Sequence, residues 1–147
     1  MLFIRDMILE DQEEVLKMVS DFYHSDAVDH VVEDELLTRT FLDAVGEEPA
    51  IRGVMLYKEE RVVGFAYLTV GYACEVGGKV LIIEEIFMKE ECRGKGYGKA
   101  FFIWLFETYT DIVRFRLEVT DNNEGASGLY KKLGFRYLSY DQMILDR

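Results

Sequence analysis

Two carboxylates in an apolar strand, and a basic glycine-rich turn just after it, are the parts of this sequence that can do chemistry. Glu84 and Glu85 interrupt the run Val80, Leu81, Ile82, Ile83, Ile86, Phe87 and Met88. That run is too continuous for a sheet face open to water. Each charge in it therefore costs free energy unless it is paired, hydrated or used. Either glutamate can take a proton from a nucleophile. Side chains alternate along a strand, which puts the two on opposite faces and leaves one of them to act. The bland role for either is an ion pair with Arg114 or Arg116 on a later strand. The turn reads Arg93-Gly94-Lys95-Gly96-Tyr97-Gly98-Lys99, and its glycines let backbone N–H groups approach a ligand closely. A helix starting near Gly96 aims its unpaired N–H groups and positive dipole end at the same place. Arg93, Lys95 and Lys99 add charge, so phosphate is the expected guest. Two phosphate-loop templates do not fit. The Gly-Lys pairs are followed by Val80, Gly96 and Ala100, where a Walker loop needs Ser or Thr. Gly94-Lys95-Gly96-Tyr97-Gly98 also lacks the G-x-G-x-x-G spacing of a dinucleotide fold.

The elements that must position these residues follow from periodicity. Leu2 to Arg5 reads as a first strand. From Asp11, with Glu14 three residues on in a capping-box-like pair, Val15, Leu16, Val19, Phe22 and Tyr23 recur at helical spacing. The polar linker His24-Ser25-Asp26-Ala27-Val28-Asp29-His30 carries both histidines, but His-x5-His is no established metal spacing, and no metal is expected. Glu33 to Ala44 is a second helix with Gly46 past its end. Gly53 to Tyr57 and Arg61 to Ala73 form a hairpin that continues through Gly77-Gly78 into the Val80 strand, an antiparallel meander. Ala100 to Phe106 has strand-like propensity, yet its place after the glycine turn makes it a third helix, buried on more than one side or used in a dimer contact. Val113 to Val119 is a fifth strand. Thr120 to Asn123 starts a fourth helix, with Ala126, Leu129, Tyr130 and Leu133 on one face and Gly134 as its stop. Phe135 to Leu145 is expected to finish the sheet.

Composition narrows the class. One domain over residues 1–147 is the default at this length, and half the residues are hydrophobic, which argues against disorder. No apolar stretch reaches the roughly 18 residues of a membrane span, and the N-terminus lacks the pattern of a secretory signal. Cys74 and Cys92 match neither a zinc spacing nor a disulfide framework, so free thiols in a reducing cytoplasm are expected. A net charge of −11 makes nucleic acid a poor partner. With one local basic turn, the same charge suits an anionic cosubstrate on one side and a cationic acceptor on the other.

Arg93, Gly96 and Gly98 fit the pattern [Q/R]-x-x-G-x-[G/A]. Asn123, Ala126, Leu129, Tyr130, Gly134 and Phe135 fit N-x-x-A-x-x-[L/F]-Y followed by x-x-x-G-F. Together these segments resemble the acetyl-coenzyme A motifs of the GNAT superfamily of N-acetyltransferases, over residues 80–135. The resemblance implies an α+β fold with a mixed, mostly antiparallel sheet of six to seven strands flanked by about four helices. It implies acetyl-coenzyme A as cosubstrate: Ile86, Phe87 and Met88 along its pantetheine arm, Arg93, Gly94, Lys95, Gly96, Tyr97, Gly98 and Lys99 on its pyrophosphate, and Asn123 and Ala126 nearby. Glu84 stands where similar small-amine acetyltransferases have a proposed base. Tyr130 matches the tyrosine that serves the departing sulfur. Phe22, Tyr23, His24, Asp26, Asp29 and His30 are the candidate acceptor entrance, because loops carry specificity on such scaffolds. The acceptor implied is the primary amine of a small cationic molecule. A peptide or protein amine, and a non-catalytic acyl-coenzyme A sensor on the same fold, stay open, and the aromatic third helix and last strand make a homodimer reasonable.

Overall fold

The computed structural model describes residues 1–25, 28 and 30–147. Its elements are β1 (Leu2–Asp6), α1 (Gln12–Tyr23), α2 (Asp34–Val45), β2 (Ile51–Lys58), β3 (Arg61–Ala73), β4 (Gly78–Met88), α3 (Tyr97–Thr108), β5 (Arg114–Leu117) and α4 (Glu124–Lys132). The strands form one sheet in chain order, antiparallel from β1 to β4 and parallel between β4 and β5. Parallel neighbours need a long crossover, which α3 supplies.

Alternation along the strands divides the core in two. Val54, Leu56, Ala66, Leu68, Leu81 and Ile83 face α3 and α4, where Phe101, Phe102 and Leu105 are buried and Leu129 and Tyr130 pack against them. Met55, Phe65, Tyr67 and Phe87 face Val15, Met18, Val19 and Phe22 of α1 and Phe41 of α2. α3 is a helix despite its aromatic run, because three of its residues fill the first core while Ile103 points to solvent. Asp11 does not cap α1 with its side chain as the Asp11/Glu14 pairing predicts. Its carboxylate accepts instead from the Ile8 N–H at 2.8 Å and from both terminal nitrogens of Arg5 at 2.7 and 2.9 Å. A charge-assisted pair to a β1 arginine outcompetes a single neutral cap bond. Glu14 is drawn to Lys89 at the end of β4, tying α1 to the strand that carries both central glutamates.

Among the described residues the sheet has five strands, fewer than the six to seven expected. The missing one is the segment after α4, which has no strand pairing. Phe135 is held back on α4, its N–H donating to the Tyr130 carbonyl at 3.0 Å and its ring packed on Phe102 and Tyr130. Tyr137 likewise meets the Ser127 hydroxyl at 3.0 Å and lies under Lys131. These contacts direct the chain along α4, and β5, regular for only four residues, offers little ladder to join. Met143, Ile144 and Leu145 are left exposed.

Candidate active site

One irregularity in β4 organises the site. The β3–β4 register runs Tyr67 opposite Glu85 and then Leu68 opposite Ile83, so Glu84 is an extra residue with no partner. A β-bulge of this kind re-aims side chains. It cancels the alternation that would separate the two glutamates. Glu85 is buried with Tyr67 on the α1 face, and Glu84 accepts a hydrogen bond at 3.0 Å from Thr69 Oγ1, two residues from Tyr67 on that same face. The expectation of opposite faces is therefore corrected: both carboxylates serve one side of the sheet. Neither pairs with Arg114 or Arg116. Arg114 binds Glu75 at 3.0 Å instead.

The two carboxyls differ in environment. Glu84 is exposed. Glu85 is buried, and burial pushes its pKa up to about 7; a hydrogen bond from the Tyr23 hydroxyl opposes the rise and the nearby Glu84 charge adds to it. One Glu85 oxygen, Oε1, and the Tyr67 hydroxyl are buried without a hydrogen-bond partner among the described residues. An unsatisfied buried polar atom costs about 1–3 kcal/mol, so two together mark a place shaped for something else. Burial raises the pKa of both Tyr23 and Tyr67, with the Glu85 charge adding to each, so both phenols stay protonated as hydrogen-bond donors.

Beside this cluster the sheet splays. β4 pairs with β5 only from Val80 with Arg114 to Ile83 with Leu117. From Glu84 to Met88, β4 has no strand on its β5 side, so its free main-chain groups can bind an extended ligand as another strand would. Ile86, Phe87 and Met88 line this edge. Their side chains have structural duties: Ile86 and Met88 pack on the α3 side, and Phe87 packs on Phe22 and Phe65.

The basic turn closes the same end. Gly94 and Gly96 have φ of 72° and 83°, and a Cβ at either would meet nothing within 4 Å, so it is the left-handed backbone that requires glycine there. Gly96 is the N-cap of α3, leaving the helix's first N–H groups at the end of β4. Gly98 serves packing instead, since a Cβ there would lie 3.0 Å from Leu129 of α4. Lys95 and Lys99 are exposed, and Tyr97 is partly buried. The Arg93 side chain turns back, donating to the Met88 carbonyl at 3.0 Å and covering the Phe87 ring. Cys92 is buried in the α3-side core, a neighbour of the turn with no exposed thiol.

Tyr130 stands on the opposite face from Glu85. Its ring packs on Phe102 and Phe135, and burial pushes its pKa up to about 12. Its hydroxyl makes no hydrogen bond among the described residues, and its side chain borders a cavity of about 790 Å³ that also touches Arg116, Leu117 and Glu118. Asn123 accepts the Ala126 N–H at 3.3 Å as the N-cap of α4. That bond accounts for Asn123 by helix capping alone.

The expected acceptor entrance divides. Phe22 is buried in the core, and His24 closes the end of α1 through Nδ1 on the Ser20 carbonyl at 2.6 Å. Tyr23 joins the Glu85 cluster, and His30 sets its ring edge-on to Tyr23 at 6.4 Å. Asp26 and Asp29 lie outside the described residues. Sequence reasoning missed Tyr67 and Thr69; the β3–β4 register is the signal that places them beside the glutamates.

The family model for the "Acetyltransferase (GNAT) family" matches residues 13–135, and the chain belongs to that family. Solved structures carry the same fold. A possible acetyltransferase from Clostridium difficile 630 superposes with a TM-score of 0.81 at 19% identity, covering 99% of this chain and 97% of that one. A ribosomal-protein-alanine N-acetyltransferase from Brucella melitensis biovar Abortus 2308 does so with 0.78 at 17% identity, covering 99% of each. A transcriptional regulator from Bacillus halodurans C-125 gives 0.75 at 19% identity over the full length of both. No curated protein matches the chain. Among the described residues no group of His, Cys, Asp and Glu is arranged to hold a metal ion, and no helix is long and apolar enough to cross a membrane.

Proposed function

We propose that this chain transfers an acetyl group from acetyl-coenzyme A to the primary amine of a small acceptor that arrives as a cation. Transfer is by direct attack within a ternary complex. The observation that carries the reading is Glu85, a buried carboxyl with a pKa near 7 and an unpartnered oxygen at the point where β4 and β5 part. An amine with pKa near 10 is mostly protonated at neutral pH, and delivering it neutral costs roughly 4 kcal/mol. A base whose pKa lies near the working pH suits that proton best. We therefore assign the base to Glu85 rather than to the exposed Glu84, which holds Thr69 and adds negative charge for an arriving ammonium.

The chain's residues fit the cosubstrate. The free β4 edge from Glu84 to Met88 suits the amide-bearing pantetheine arm, and the Gly94–Gly96 turn with Lys95 and Lys99 suits the pyrophosphate. In the reaction the amine nitrogen bonds to the thioester carbonyl carbon and the C–S bond breaks. The nitrogen sheds its second proton to solvent as the intermediate collapses, the departing thiolate takes a proton from solvent, and the products are an amide and coenzyme A. Glu85 takes the ammonium proton from the α1 face. Tyr130 approaches from the α4 face and donates a hydrogen bond to the sulfur. A phenol with a pKa of about 12 is a weaker acid than a thiol near 8.5, so it stabilises the thiolate without giving up its proton.

Thiol release from acetyl-coenzyme A across a panel of small primary amines, with coenzyme A binding followed by calorimetry, tests the reading. Turnover that falls in Glu85→Gln and in Tyr130→Phe is the expected result. A protein that does not bind coenzyme A overturns the proposal.

A further inference from the structure

The proposed acceptor face holds a cation as well as two acids. Thr69 lies opposite Ile82, and Ile82 opposite Arg116, so these three occupy one rung across β3, β4 and β5. Phe115 stacks on Phe106 of α3 at 4.9 Å, so alternation sends Arg116 to the other face, the one that carries Thr69, Glu84 and Glu85. Arg116 is partly buried. In a chain with 28 acidic and 17 basic residues, it makes no ion pair or hydrogen bond among the described residues. The neighbouring Arg114 is paired with Glu75. Glu84 is turned toward Thr69 across the strand. The Arg116 backbone is thus one strand across from Ile82 and two to three residues short of Glu84 and Glu85 along the sheet, and neither carboxylate neutralises its guanidinium. Arg116 also lines a cavity of about 310 Å³ with Tyr72, Tyr140 and the paired Glu75 and Arg114, so there is room beside it for a small group.

We infer that the acceptor is an amino acid, its ammonium received at Glu85 and its carboxylate held by Arg116. This rests on the acetyltransferase reading above and changes one part of it: the acceptor brings its cationic ammonium together with a carboxylate, as a zwitterion. The planar guanidinium matches a carboxylate with two parallel hydrogen bonds, which a lysine cannot reproduce. Fixing the carboxylate on β5 also fixes the amine over the splay, on the next strand and three residues along it. An amine without the anion binds there with nothing to orient it.

Steady-state thiol release with matched acceptor pairs tests this: alanine against ethylamine, β-alanine against ethylamine, and lysine against cadaverine. The wild-type protein prefers the carboxylate-bearing member of at least one pair by tenfold or more in kcat/KM. Arg116→Gln loses about tenfold to a hundredfold on that member, chiefly through KM, and leaves its decarboxylated partner unchanged. Arg116→Lys recovers only part of the loss. Preference for the bare amine in all three pairs overturns the inference while leaving acetyl transfer intact, as does an Arg116→Gln loss equal for both members. Absence of thiol release with every acceptor, together with no binding of coenzyme A, overturns the acetyltransferase reading and the inference with it.

Discussion

Replacing Glu85 by glutamine should make the protein more stable as the pH rises. The carboxyl has an ordinary pKa of 4.5, and burial raises it to about 7. A group whose folded pKa is raised adds stability below its unfolded value and loses it as the pH climbs through the folded one. At about 1.36 kcal/mol per pKa unit, ionising Glu85 in place costs roughly 3 kcal/mol once the pH passes 7. Glutamine keeps the shape and the hydrogen-bonding capacity and carries no charge. Urea titrations of both proteins at pH 4.5 and pH 8, compared as a double difference, isolate this effect from every other titrating group. Glu85→Gln should gain roughly 3 kcal/mol on the wild type between the two conditions. An unchanged difference, or a variant that loses ground at pH 8, would show that Glu85 ionises as easily folded as unfolded, and the argument for its role as a tuned base would fail.

Three further outcomes follow from the same geometry. Tyr130→Phe should lower kcat by roughly a hundredfold with little change in coenzyme A affinity by calorimetry, since the ring keeps its packing on Phe102 and Phe135. Gly96→Ala should cost about 1–2 kcal/mol in urea, because φ is 83° there, and should raise KM for acetyl-coenzyme A by distorting the α3 N-terminus. Asp11→Asn should cost about 1–3 kcal/mol. Its partner Arg5 holds the Asp11 carboxyl below its ordinary range, so this stabilisation is present above about pH 4 and disappears in acid, where urea midpoints of the two proteins should converge.

Much of this was legible in the sequence. The glycine turn announces itself because left-handed backbone leaves a residue-type signature, and the strands from Leu2 to Leu117 follow from alternation. What local pattern does not hold is pairing. The bulge at Glu84 is a one-residue offset against Tyr67 and Leu68, set by how β3 lies on β4, and it reversed the expectation about which way two adjacent glutamates point. Tyr67 sits in an apolar run and reads as core until the register places it beside Glu85. The segment from Phe135 onward alternates well enough for a strand, but its first residues are claimed by Phe102, Tyr130 and Ser127. Asp11 had a cap's spacing and found an arginine within reach. In each case a long-range partner outweighed a short-range preference.

The most direct test of the central claim is the pH dependence of kcat/KM for acetyl transfer in the wild type, Glu85→Gln and Glu84→Gln. The account predicts a wild-type profile rising through an apparent pKa of about 7, its retention in Glu84→Gln, and its loss in Glu85→Gln with a rate lower by roughly 10²–10⁴. A profile that survives in Glu85→Gln and disappears in Glu84→Gln would contradict the account and move the base to the exposed bulge residue.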